Sequence, residues 1–354
     1  MRFLKHTGIF ILLLLLLTAC NNRQEVVTPP WGGNTDNAAS SEFDLTEIQQ
    51  AGELIGLTLS GPETYYDYHG AHLGVHYLLG ERFASQIGTR LRVEVCRDTT
   101  ELLARLEAGE ADIIMFPVDA TDSLSPGWRL GNDKPLLTEA LHDWYRPQMM
   151  DEARRQERQM LTKPRVRRRV FAPMLSRGVI SHYDAYFKQY AHQIGWDWRL
   201  LAAQCYQEST FDPNAQSWAG AKGLMQIMPA TADHLGLPRD QMNNPEQSIA
   251  AATRYLKELE AELSAVRNPY ERQNLALAAY NGGLHHIRDA MRLAERDGRN
   301  AHAWNDVKTY VLRLSQPQYY QDTLVRNGYM RGQETAEYVD NIRERYKKYK
   351  RSAR

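Results

Sequence analysis

From Ser181 onward the apolar residues recur at helical spacing, without the two-residue alternation that marks a strand. A stretch of that length and period folds only by packing helix on helix, each burying one stripe. One such stripe is Ile249, Ala252, Leu256, Leu259 and Leu263, opened by Asn244-Pro245-Glu246, an asparagine cap ahead of a first-turn proline. Tyr338, Ile342, Arg345 and Tyr349 describe a terminal helix that docks on the rest.

The half before it has another pattern. Residues 54–59, 91–95 and 112–116 read as strands, and residues 73–87 and 99–108 as helices between them. Strands alternating with helices imply a parallel sheet. Residues 127–130 then read as a return strand and residues 136–145 as a helix. The expected fold class is therefore an α/β lobe with a parallel sheet, followed by an all-α domain.

This order, with Glu107-Ala108-Gly109-Glu110-Ala111-Asp112-Ile113-Ile114, resembles the first lobe of bacterial extracellular solute-binding proteins. Those proteins insert a second lobe after the third strand, whereas here only nine residues separate Val118 from Trp128. The resemblance thus implies a truncated, single lobe, suited to structure or docking more than to small-ligand binding, which needs a concave cleft. Residues 151–170 are charge-dense, with Lys163, Arg165, Arg167, Arg168 and Arg169 close together. They read as a solvated linker, with attraction to anionic headgroups or cell-wall carboxylates as the sharper alternative.

At the N-terminus Arg2 and Lys5 precede an apolar run over residues 9–17, too short for the roughly 20 residues that span a bilayer. A positive start, a short apolar stretch and small residues before a cut site read as a secretory signal. Leu17-Thr18-Ala19-Cys20 resembles the lipobox of bacterial lipoproteins, which implies lipid attachment at Cys20 and a place on a membrane facing the periplasm. Asn21 favours the outer membrane, because an aspartate there commonly retains such proteins at the inner one. Residues 21–45, rich in Asn, Thr, Ser, Pro and Gly, have tether composition. The expected domains are a signal peptide (1–19), a tether (20–48), the single lobe (49–150), the charged linker (151–170) and the helical domain (171–350).

Charge and cysteine content narrow the function. Forty-three Lys and Arg against 43 Asp and Glu leave no net charge to draw the chain to nucleic acid. Three scattered cysteines form neither a disulfide scaffold nor a paired zinc site, and a bond between Cys96 and Cys205 is not expected. His285 and His286 are adjacent, so on a helix they diverge by about 100° and do not share a metal. No metal or organic cofactor is implied.

Chemistry concentrates near Glu208. Leu201, Cys205 and Glu208 stand at i, i+4 and i+7 of a helix capped by Asp197, so the acid lies on an apolar face in the last turn. Burial and the negative end of the helix dipole both disfavour its charge, the condition a general acid near neutrality needs. Three blocks follow: Glu208-Ser209-Thr210-Phe211-Asp212-Pro213-Asn214-Ala215-Gln216-Ser217, Gly220-Ala221-Lys222-Gly223-Leu224-Met225-Gln226-Ile227-Met228-Pro229, and Ala278-Ala279-Tyr280-Asn281-Gly282-Gly283.

Together these blocks resemble the soluble-lytic-transglycosylase family of lysozyme-like enzymes, over roughly residues 171–350. The resemblance implies an all-α lysozyme-like domain that cuts peptidoglycan glycan strands at the muramic acid linkage, with Glu208 as acid and then base. It further implies that Ser217 orients Glu208 and that Met225, Gln226, Tyr280 and Asn281 contact the sugar. Core filling is the competing reading for Met225 and Tyr280. Gln226 offers an amide donor and acceptor to a sugar. Gly282 reads as the left-handed stop of the helix opened by Pro269. Asp212 reads as a turn-former before Pro213; as a second carboxylate it would turn the reaction into lysozyme-type hydrolysis. A catalytically silent wall-binding lipoprotein is the alternative from another class.

Overall fold

A computed structural model of the chain describes residues 43–352, apart from 119–120, 122–123, 132, 163–174 and 176–177. The signal-peptide and lipobox readings, Cys20 among them, lie outside the described residues, as does the basic cluster from Lys163 to Arg169. Among the described residues no helix is long and apolar enough to cross a membrane.

The α/β lobe comes first. Helix α1 (Leu45–Ala51) is opened by Asp44, whose carboxylate and Glu47 form a reciprocal capping box, so the stretch expected as tether ends in a helix. Then follow β1 (Glu53–Leu59), the short strands β2 (Tyr66–Tyr68) and β3 (Ala71–Leu73), α2 (Val75–Gln86), β4 (Arg90–Cys96), α3 (Thr99–Glu107), β5 (Ile113–Ile114) and β6 (Arg129–Leu130). The sheet runs β4-β1-β5-β6, with β1 parallel to both neighbours and β6 antiparallel at the edge. Buried Leu54 and Leu57 of β1, with Ile113 and Ile114 of β5, carry apolar contacts to both faces, the reason these strands lack strict alternation.

Helices α4 (Pro135–Trp144) and α5 (Gln148–Thr162) complete the lobe. Residues 151–162, expected as solvated linker, are instead most of α5, which packs against α2. A helix needs only one apolar stripe to dock, and Met149, Met150, Ala153 and Met160 supply it within the charged sequence. Arg82 of α2 reinforces the contact, donating to Gln156 and pairing with Glu152 at 3.5 Å.

The second half is all helical, as its period required. It comprises α6 (Asp184–His192), α7 (Trp198–Ser209), α8 (Pro229–His234), a 3-10 turn at Arg239–Gln241, α9 (Pro245–Glu262), α10 (Pro269–Gly282), α11 (Leu284–Arg296), α12 (Trp304–Arg313), α13 (Pro317–Tyr320) and α14 (Gly332–Ser352). One apolar core runs through it, with α7 packed between α6 and α14. Helix α10 includes Gly282, and the stop falls one residue later, at Gly283 with φ 86°. Cys96 and Cys205 are both buried free thiols.

Lobe and helical domain touch directly. Ser60, just past the carboxyl end of β1, accepts the Tyr329 N–H at 2.8 Å, and the Tyr66 and Tyr329 rings meet edge to face at 5.1 Å.

Candidate active site

Helix α7 delivers Glu208. Its Asp197 cap accepts the Arg199 N–H at 3.0 Å, and the helix breaks at Thr210 and Phe211, both left-handed at φ 58° and 62°. Two non-glycine residues in that region are strained, and packing holds them there. Phe211 is fully buried against Tyr206 and Phe187. The sharp reversal leaves Glu208 in the last turn, only 5% exposed, where a large groove reaches it.

Residues 212–228 return over the carboxyl as a knot of short loops. Asp212 is buried and its Oδ1 accepts the Asn214 N–H at 2.9 Å, the turn expected of it. Ser217 Oγ accepts the Ala221 N–H at 3.0 Å, and Lys222 and Ile227 exchange backbone bonds at 3.1 Å. Gly223 has φ 78°, and a Cβ there would stand 2.1 Å from the Met242 carbonyl oxygen, so only glycine fits this crossing.

Three aromatic and amide groups close on the acid from other helices. Tyr338 of α14 donates its hydroxyl to Glu208 Oε1 at 2.5 Å. Burial raises the Tyr338 phenol pKa well above its usual value, and the Glu208 charge adds to the shift, so this hydroxyl stays a donor. Tyr280 of α10 donates to the Met225 carbonyl at 2.8 Å, and burial together with Glu208 raises its phenol in the same way. Asn281 Oδ1 accepts the Thr335 hydroxyl at 2.8 Å.

The groove has a volume of about 1440 Å³ and is lined by Glu208, Ser217, Gln226, Tyr280 and Asn281 among others. Five of the six residues singled out in the helical half thus share one cavity. Met225 does not line it. Its side chain is fully buried in the domain core, its N–H donates to Ser248 Oγ, and the groove wall at this point is Met228. Gln226 lies at the wall in the left-handed region, φ 48°, and its Nε2 donates to the carbonyls of Ala215 and Gly223 at 3.1 and 3.0 Å. Both of its donors are thus spent on the loop.

Tyr338 is the contact to Glu208 that sequence reasoning missed. Its place on the apolar stripe of α14 marks it as docking, and 130 residues separate it from Glu208. The signal was its hydroxyl, since a phenol on a buried stripe needs a polar partner. Chemically, the arrangement is one buried carboxyl with a fixed O–H donor, facing a cavity large enough for several sugar-sized units.

The chain is similar in sequence to known proteins. Residues 185–303 match the family model described as Transglycosylase SLT domain. Over 166 residues the chain is 43% identical to a membrane-bound lytic murein transglycosylase F of Maricaulis maris, covering 47% of this chain and 35% of that one. A protein of the same name from Pseudomonas fluorescens is 32% identical over 324 residues, covering 81% of this chain and 64% of the relative. Among solved structures, the 70-kDa soluble lytic transglycosylase of Escherichia coli is 27% identical, with a TM-score of 0.34 over 48% of this chain and 24% of that one. The chain spans about a third of the length of the first curated relatives it matches. The helical half of this chain, which holds Glu208, is thus similar to the transglycosylase SLT domain over residues 185–303.

Proposed function

We propose that the protein is a lytic transglycosylase that cleaves the β-1,4 bond between N-acetylmuramic acid and N-acetylglucosamine in peptidoglycan and leaves 1,6-anhydro ends. The observation that carries this reading is Glu208, buried at the groove with the Tyr338 hydroxyl on its Oε1.

In this mechanism protonated Glu208 gives its proton to the glycosidic oxygen as the C1–O bond breaks. The carboxylate then takes the proton of the muramic C6 hydroxyl while that oxygen bonds to C1. One carboxyl serves twice, as acid and as base, and no water is consumed. Hydrolysis with a second carboxylate finds less support, because Asp212 Oδ1 is engaged in its turn. Gln226, Tyr280, Asn281 and Ser217 act as groove walls that hold the sugar, and the chain serves cell-wall remodelling from a lipid anchor at Cys20, in the outer membrane facing the periplasm.

The test is digestion of purified sacculi by wild type and Glu208→Gln, with products weighed by mass spectrometry. Anhydro products lighter than reducing ends by one water are expected from wild type. Glu208→Gln should lose turnover by about 10²-fold or more while keeping the wild-type circular dichroism. Reducing ends, or near-normal turnover by the variant, would refute the assignment.

A further inference from the structure

The groove is not built by the helical domain alone. Asp67, Tyr68, His69 and Gly70 of the lobe line the same cavity as Glu208. They form the tip of the β2–β3 hairpin, whose register pairs Tyr66 with Leu73 and Tyr68 with Ala71. Its two-residue turn, His69-Gly70, has positive φ at both positions, 49° and 70°. That is the tight geometry that matches strand twist, so the tip is stiff.

The tip touches two separate segments that line the groove. Towards the loops after α7, Tyr68 stacks on Trp218 with ring centroids 6.3 Å apart and planes 13° from parallel. A Cβ at Gly70 would stand 3.1 Å from Met228 Cε, so the turn lies directly against that wall. Towards α14, the Tyr68 hydroxyl donates to Glu334, His69 Nε2 sits 3.0 Å from Glu334 Oε1, and the Arg331 guanidinium stands 5.3 Å from the Tyr68 ring centroid. The hairpin therefore bridges from one lining segment to the other.

We propose that this hairpin is a strap across one end of the groove, so that the enzyme takes glycan strands by their termini and does not clamp onto their interior. The inference rests on the transglycosylase reading above and adds where along the polymer the cut is made. A strand can lie through a cleft at an interior bond only if both ends of the cleft are open. Stacking, a cation over a ring and a carboxylate shared by two donors close one of them. The ligand of this end is a chain terminus of the aminosugar polymer.

The test uses long glycan strands freed of stem peptides, digested by the full chain. Bonds cut are counted as anhydro ends, and the mean length of the remaining strands is measured by size-exclusion chromatography. Wild type should release short products from the start while the remaining strands keep most of their length. The Tyr68→Ala/His69→Ala variant should shorten the remaining strands severalfold faster at equal numbers of bonds cut. Glu334→Gln, which leaves the hairpin sequence intact, should move in the same direction and carries the test if the double variant fails to fold. Interior cutting by wild type from the first time points overturns the strap. So do folded variants that turn over more slowly with an unchanged product pattern, since the hairpin would then only brace α14. Failure of wild type to cut at all removes the transglycosylase reading itself, a distinguishable outcome.

Discussion

Burial and hydrogen bonding act on the Glu208 carboxyl in opposite directions. Burial in the last turn of α7 penalises its charge, whereas the Tyr338 hydroxyl at 2.5 Å favours it. Removing that hydroxyl takes away one contact that favours the carboxylate. Tyr338→Phe should therefore lower turnover and move the alkaline limb of the pH–rate profile to higher pH, since the proton Glu208 must donate is then held longer. An unmoved limb would mean that Tyr338 only packs. At this scale the sequence was partly legible. An acid on the face of Leu201 and Cys205 is conspicuous in any helix, and motif blocks pointed to Ser217, Gln226, Tyr280 and Asn281. Met225 was misplaced because spacing along a loop does not say which side chain turns inward. Its carbonyl, which accepts the Tyr280 hydroxyl, is the part that bears on the site.

Elements hold these residues by contacts whose cost of failure can be estimated. Helix α14 carries Tyr338, and its first residue, Gly332, lies so close to α12 that a Cβ there would stand 1.8 Å from the Val311 carbonyl oxygen. Gly332→Ala should destabilise the protein by about 1–3 kcal/mol or more, read as a lowered urea midpoint, and should reduce turnover by displacing Tyr338. In the lobe, α2 presents His76 Nδ1 to the Trp128 indole N–H at 2.8 Å, and burial pushes the imidazole pKa down from 6.5 to about 4. Between those values the unfolded chain binds a proton here that the folded chain does not. Stability should thus fall as pH drops through that window, by about 3 kcal/mol at its lower end. His76→Gln keeps an acceptor for Trp128 and should flatten that dependence in unfolding measurements either side of the window. Element type was readable from period. The β2–β3 hairpin was not, because three-residue strands carry no periodicity. Nor was α5, whose methionine stripe is outnumbered by charges.

At the scale of the molecule, the lobe meets the helical half at the edge where open parallel sheets usually take ligands. Ser60 at that edge is bonded to Tyr329, and Tyr66 packs on the same residue. Calorimetric titration of the full chain with free amino acids should accordingly show no saturable heat; a clear isotherm would return the lobe to ligand binding. Apolar period by itself determined that this chain has an α/β part and a helical part, because burying one face of each element leaves few architectures. The motif blocks by themselves pointed to five of the residues that gather at the groove, Glu208, Ser217, Gln226, Tyr280 and Asn281. Only the tertiary structure decided that α14 brings a phenol to Glu208 and that a hairpin from the lobe reaches the same groove. These contacts join residues 130 and more positions apart, and nothing local in a sequence encodes which distant surfaces will meet.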